Sequence, residues 1–202
     1  MKLPIKCFLI GMALLGMSAG NAGAILLDFD SLPAGGPLSF YPPVVPDGYG
    51  QLSWNNFAVA NGSEFAPNTG YYTGLVSGNN EIFNDFGNPA SVSIANGLFD
   101  LYSAYLTAAL NLSSPLNIQV EGFDGTTMLY DNTYTVNNLG PTLINFNYTG
   151  VSQVTFISPL AQEFVIDNMT VNVPDEFNTL GLFSATIGGL MVLRWKTQKR
   201  TA

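Results

Sequence analysis

The stretch Phe164-Val165-Ile166-Asp167-Asn168-Met169-Thr170-Val171-Asn172-Val173 decides the fold. Apolar residues recur with a period of two at Phe164 and Ile166, and again at Met169, Val171 and Val173, with one slip at Asp167-Asn168. Side chains of a strand point alternately to its two faces, so the pattern predicts a strand with one buried face. A one-residue slip would turn the later apolar residues to solvent unless the extra residue is absorbed, which predicts a β-bulge at Asp167-Asn168.

The same period returns at Leu116, Ile118 and Val120, and at Val154 and Phe156. Further short apolar runs lie at 25–30, 52–59, 72–76, 91–94, 99–109, 128–136 and 143–148. Turn chemistry separates them, as in Ala34-Gly35-Gly36-Pro37, Pro46-Asp47-Gly48, Gly78-Asn79-Asn80 and Asn138-Leu139-Gly140-Pro141. Asp124-Gly125, between two apolar runs, predicts a hairpin whose turn has two positive φ angles. The one helical rival is 103–112, with its Ala-rich end. About ten short strands at this spacing predict an all-β chain, a single jelly-roll β-sandwich, over 25–172.

Charge is distributed unevenly. The 202 residues contain six Lys and Arg, fourteen Asp and Glu, and no His. All six basic residues lie near the ends, at Lys2, Lys6, Arg194, Lys196, Lys199 and Arg200. From Ile25 to Val173 there are twelve acidic residues and no basic one. Such a domain cannot neutralise phosphates, so nucleic acid is excluded as a partner, and so is attraction to anionic headgroups. Calcium and neutral sugars remain as candidate partners.

The two ends read as export signals. Lys2 and Lys6, the apolar run 7–17 and Ala22-Gly23-Ala24 have the parts of a signal peptide, 1–24, with a signal helix. Cys7, within it, is the only cysteine, so no disulfide is expected in the domain. At the other end, 180–193 is apolar or small throughout and predicts a short transmembrane helix at about 179–195. Its core is shorter than the ~20 residues that a ~30 Å hydrocarbon layer requires. The basic end 194–200, with Arg194, Lys196, Lys199 and Arg200, would hold that side in the cytoplasm.

Val173-Pro174-Asp175, a polar spacer, a short Gly- and Leu-containing apolar run and a terminal basic cluster together resemble the PEP-CTERM class of bacterial sorting tails, in a Val-Pro-Asp variant. The resemblance covers 173–202. It implies an exosortase-type processing enzyme as partner, a transient membrane anchor, and a Gram-negative host that exports the chain to its surface or exopolysaccharide layer. The commonest form has Glu-Pro after Val-Pro, where this chain has Asp175-Glu176. An ordinary single-pass C-terminal anchor is the alternative. The pieces Leu27-Asp28-Phe29-Asp30, Gly48-Tyr49-Gly50-Gln51-Leu52-Ser53-Trp54, Phe99-Asp100-Leu101-Tyr102-Ser103 and Phe164-Val165-Ile166-Asp167-Asn168 resemble a carbohydrate-binding-module-like jelly roll, which implies a fold more than an activity.

Two candidate sites follow from the residues. In a jelly roll the first and last strands commonly lie side by side, which would bring Asp28 and Asp30 towards Asp167 and Asn168 as calcium ligands. With no cation nearby, a buried carboxylate would need metal or a proton. The bland reading is solvated strand ends with Asp167 capping a turn. Tyr49, Tyr71 and Tyr72 flank glycines in predicted loops and are the candidates for stacking on sugar rings, with extracellular polysaccharide as partner. Trp54 and Phe57, inside an apolar run, are expected in the core instead.

Catalysis is disfavoured. Without His, Cys, Lys or Arg in the domain, nucleophilic triads, Schiff bases and His-ligated zinc are excluded. A paired-carboxylate glycosidase survives, drawing on two of Glu64, Glu81, Asp100, Glu121, Asp124 and Asp131, and nothing in their spacing selects a pair. The expectation is therefore a non-enzymatic surface or matrix protein, structural or adhesive. A secreted glycoside-active enzyme and a self-associating envelope protein stand as its rivals.

Overall fold

A computed structural model describes residues 23–110 and 115–174. The signal segment up to residue 22, Asp175, the apolar tail and the cluster Arg194, Lys196, Lys199 and Arg200 lie outside the described residues. Among the described residues no helix is long and apolar enough to cross a membrane.

Among the described residues eleven strands form in chain order: β1 (Ile25–Leu27), β2 (Ser53–Asn55), β3 (Phe57–Asn61), β4 (Asn80–Asn84), β5 (Ala90–Ser93), β6 (Phe99–Ala108), β7 (Leu116–Asp124), β8 (Thr127–Val136), β9 (Thr142–Val151), β10 (Gln153–Ile157) and β11 (Phe164–Asn172). One helical turn, α1 (Gly70–Thr73), and several 3-10 turns fill the connections. One sheet runs β3-β4-β11-β6-β9, with β1 also pairing β11. The other runs β2-β5-β10-β7-β8. Every pairing between strands is antiparallel. The predicted all-β sandwich is thus the fold.

Its core lies between the sheets and is filled by the residues that alternation selects. Leu116, Ile118 and Val120 of β7 and Val154 and Phe156 of β10 are buried in it. Phe156 meets Phe57 edge-on, with ring centres 5.9 Å apart, and Phe57 meets Trp54 at 5.7 Å. Trp54 and Phe57 are core residues, as expected. Fully burying one such side chain contributes about 1.5–3 kcal/mol.

The bulge falls where the alternation slips. The register of β11 against β6 shifts between Asp167 and Thr170, and Asn168 takes φ 49. Phe164 and Ile166 before it, and Met169, Val171 and Val173 after it, therefore all face the same core. The first and last strands do lie side by side, with Leu27 opposite Met169.

Four local expectations are corrected. The run 52–59 is two strands: the chain leaves one sheet after β2 and joins the other at β3, turning at Asn56 (φ 58), whose side chain donates to the carbonyls of Asp85, Asn88 and Pro89. The run 72–76 is no strand, because α1 and the loop after it occupy that stretch. Strand β4 escapes the apolar scan, since Asn80-Glu81-Ile82-Phe83-Asn84 alternates polar with apolar while Glu81 and Asn84 are themselves buried. At the hairpin, Asp124 pairs with Thr127 as the last strand residue; only Gly125 in the turn has positive φ, at 57. Of the helical rival at 103–112, residues 103–108 belong to the ten-residue strand β6, and 111–112 lie outside the described residues.

Candidate functional site

Part of the outer face of the first sheet, over β3, β4 and the start of β11, is not left to solvent. On β3, β4 and β11 the outward residues Ala58, Ala60, Phe83 and Val165 are apolar, and with Ala109 they form a second buried cluster around Tyr71. Tyr71 is carried there by α1. Its ring stacks on Phe65 with centres 4.3 Å apart and meets Phe83 edge-on at 5.4 Å. Glycine permits this close docking, because a Cβ at Gly70 would sit 1.7 Å from the Ala108 carbonyl oxygen.

Carboxylates hold the covering segment down. Asp167 Oδ2 accepts hydrogen bonds from the amides of Val76 (2.7 Å) and Ser77 (3.0 Å), and its Oδ1 from the amide of Asn168 (2.7 Å). Asp30 Oδ1 accepts from the amides of Asn79 (2.9 Å) and Asn80 (3.1 Å). The Ser77 hydroxyl donates to Asn168 Oδ1 at 2.8 Å. Loop 76–80 has no ladder to satisfy its N–H groups, and these acids serve as its acceptors.

Asp30, Asp167 and Asn168 therefore converge as the strand order requires, but on backbone amides. Asp28 stays apart, its Oδ1 accepting only the Asp30 amide at 3.3 Å. Among the described residues no three acidic side chains gather closely enough to hold a metal ion. Both Asp167 oxygens and Asp30 Oδ1 are engaged by backbone amides, while Asp30 Oδ2 has only the Ser77 hydroxyl, at 3.4 Å. Burial raises the Asp167 carboxyl above its ordinary value, and the amides of Ser77, Val76 and Asn168 oppose that rise.

Glu81, on the same outer face, is fully buried, and neither carboxyl oxygen has a partner among the described residues. Burial and the neighbouring Asp167 push its pKa well up. Burial without a hydrogen-bond partner favours its protonated form, and no basic residue occurs between Ile25 and Val173 to favour the charged one.

The three tyrosines do not share a surface. Tyr71 is buried, which overturns its expected exposure; its neighbouring glycine is there for close packing, not for a mobile loop. Tyr49 is half-buried against Phe29 and Trp54, and its hydroxyl accepts the Phe29 amide at 3.0 Å. Tyr72, on the other side of α1, is exposed. Of the acids suggested for hydrolysis, Glu121 and Asp131 are cross-strand neighbours bridged by the Gln119 amide, and Glu64 bonds Asn61; none of the three lines the aromatic cleft that holds Asp85 and Glu163.

That cleft lies beside Tyr71. It has a volume of about 330 Å³ and is walled by the loop 35–42, the turn Asp85–Gly87 and the start of β11. Phe65, Tyr71 and Phe83 line its inner part, while Phe40 and Phe86 stand at it largely exposed. Two carboxylates open into it, Asp85 and Glu163. The Tyr71 hydroxyl donates to Glu163 Oε2 at 2.9 Å, and no hydrogen bond reaches Oε1 among the described residues. Burial raises both carboxyls; the Phe86 amide opposes this at Asp85, and the Tyr71 hydroxyl opposes it at Glu163, where Asp85 adds to the rise.

Buried Asn84 sets the cleft walls. Its Nδ2 donates to the carbonyls of Asn88 (3.1 Å) and Gln162 (3.2 Å), and its Oδ1 accepts the Phe164 amide (2.7 Å). Glu163 is thereby gripped on both flanks, and the two turns 85–87 and 159–161 are clipped together. Phe86 is held at φ 54, a left-handed conformation unusual for a bulky residue, yet its ring is 67% exposed. Asp85, Phe86 and Glu163 were missed in the sequence. The one available signal was an aromatic set inside the turn Asn84-Asp85-Phe86-Gly87-Asn88-Pro89.

No protein-family model matches the chain, and no curated protein matches it. Among solved structures it is similar to the N-terminal CBM22-1–CBM22-2 tandem domain of Paenibacillus barcinonensis Xyn10C, at 13% identity and a TM-score of 0.44, over 80% of this chain and 48% of that one. The chain thus spans about half the length of that tandem. It is also similar to the CBM22-1 xylan-binding domain of the same protein (13% identity, TM-score 0.42, 75% of this chain and 94% of that one). A third is the C-terminal family 22 carbohydrate binding module of Clostridium thermocellum Xyn10B (15% identity, TM-score 0.39, 67% and 94%). These are likenesses of outline, and the functional reading rests on this chain's own residues.

Proposed function

We propose that the sandwich is a glycan-binding module, without turnover, whose site is the cleft between Phe40 and Phe86. The observation that carries this reading is Phe86. A non-glycine residue in the left-handed region costs about 1–3 kcal/mol and persists where the surroundings enforce it. Here Asn56, Asn84 and the glycine contact at Gly87 enforce it, and the ring that results is presented to solvent beside a cleft. A flat exposed ring offers a face to the C–H side of a pyranose, and Asp85 and Glu163 supply acceptors for its hydroxyl groups.

The same proposal has the chain exported, anchored by its tail and cleaved near Val173-Pro174-Asp175 by an exosortase-type enzyme of a Gram-negative bacterium. It then serves at the surface or in the matrix. Among the described residues Val173 is the last buried one and Pro174 is exposed, so a cut after them would spare the described core, which supports this order of events.

Oligosaccharide-array binding tests the module reading. Phe86→Ala or Phe40→Ala is expected to abolish retention, with Tyr72→Ala as the unaffected control and no new reducing ends released. Retention untouched by both cleft variants would overturn the assignment of the site. Intact mass of the protein from its native host tests the processing: a species retaining Ala202 in the membrane overturns it.

A further inference from the structure

We infer that the sugar held in the cleft carries an ammonium group, a 2-amino-2-deoxy hexose of a partly de-N-acetylated glycan. This rests on the glycan-binding reading and names its ligand class.

The cleft combines two features that a neutral sugar does not require together. Its walls present aromatic rings from Phe40, Phe65 and Phe86, and among the described residues the charged side chains that line it are the carboxylates Asp85 and Glu163. Both carboxylates are half-buried, and the domain from Ile25 to Val173 contains no Lys, Arg or His that could pair with them. Glu163 spends Oε2 on Tyr71 and, among the described residues, no hydrogen bond reaches its Oε1, while the Phe86 amide faces the Asp85 carboxylate.

Removing two negative charges partly from water without a counter-ion is costly, and an incoming cation recovers that cost. Aromatic faces add to the attraction, because a desolvated ammonium over a ring gains up to about 2 kcal/mol. A polyanionic glycan would meet repulsion at the same place. The ammonium of an amino sugar sits directly on the pyranose, so ring stacking and charge pairing engage one residue of the polymer together. The cleft, at about 330 Å³, has the scale of a sugar site rather than of a protein interface.

The test is calorimetric titration of the full-length chain with three probes of equal length: a β-1,4-linked glucosamine oligomer, its fully N-acetylated form, and a glucose oligomer. The glucosamine oligomer is expected to bind about tenfold or more tightly than either other, which is about 1.4 kcal/mol. Asp85→Asn and Glu163→Gln should each erase most of that preference, while Asp124→Asn, on the exposed hairpin, should keep it.

Equal binding of all three probes, still lost in Phe86→Ala, would overturn the ammonium inference and leave the glycan reading standing. No binding of any probe would overturn both. A glucosamine preference that survives Asp85→Asn combined with Glu163→Gln would reveal general attraction to an acidic domain and overturn the inference. Thermal melts of the two isosteric variants, expected to show no loss of stability against the parent at neutral pH, separate loss of binding from loss of fold.

Discussion

The Tyr71 hydroxyl donates to Glu163 Oε2 at 2.9 Å, joining a helix that covers the sheet to the strand start beneath it, 92 residues further along the chain. Through this bond a buried core residue orients a carboxylate of the cleft. Tyr71→Phe keeps the stack on Phe65 and removes the donor. The variant should be about 1–2 kcal/mol less stable in urea unfolding, in keeping with loss of a hydrogen bond to a charged group. Carboxyl NMR should find Glu163 titrating higher than in the parent, since that hydroxyl now lowers its pKa.

Glu81 makes stability depend on pH in an unusual direction. Its folded pKa is raised well above 4.5, so between that ordinary value and the folded one the native state holds a proton that the unfolded chain has lost. Stability is then fully present below about 4.5 and falls as pH rises through the folded value. Asp167, Asp85 and Glu163 are raised too and act with the same sign. The melting temperature of the parent should therefore decline from mildly acidic towards neutral pH. In Glu81→Gln the decline should be shallower, with the gain over the parent largest at neutral pH; parallel curves would show that Glu81 is not the source.

Loop 76–80 should depend on its two anchors separately. Asp167→Ala strips the acceptor from Val76 and Ser77 and is expected to cost about 2–3 kcal/mol. Asp30→Ala should free Asn79 and Asn80. Hydrogen exchange of those four amides tells the anchors apart. Because both Asp167 oxygens and Asp30 Oδ1 already accept amide hydrogen bonds, added calcium or a chelator should leave the melting temperature of the parent unchanged.

Gly70 is the tightest test of how the outer layer docks. A Cβ placed there would overlap the Ala108 carbonyl, and backbone cannot give way cheaply. Gly70→Ala should destabilise by about 3 kcal/mol, at the upper end for overpacking, although the same change in an exposed helix would stabilise. Tyr71 fluorescence and proteolysis of the covering segment would report the displaced helix.

Phe86→Gly should separate strain from function. Relieving a left-handed bulky residue should leave the protein at least as stable in thermal denaturation. Glycan retention should disappear. A variant that loses stability instead would mean that the ring is needed for packing.

Read alone, the chain determined whatever depends on near neighbours. Alternation at Leu116, Ile118 and Val120 and along β11 marked strands and their buried faces, and the slip at Asp167-Asn168 marked the bulge, because side-chain direction follows the local backbone. The absence of basic residues from Ile25 to Val173 by itself limits the partners. What only the tertiary structure decided was pairing across long separations. The run 52–59 divides between two sheets at Asn56 because each half finds a different partner, β5 or β4. Tyr71 is buried because a covering segment docks on the outer face of β3, β4 and β11, and no local period encodes that second layer. Asp85 and Glu163 meet at one cleft because Asn84 clips together turns some 74 residues apart in the chain. Periodicity specifies which way a side chain points; what it points at is set by the energy of contacts between distant segments.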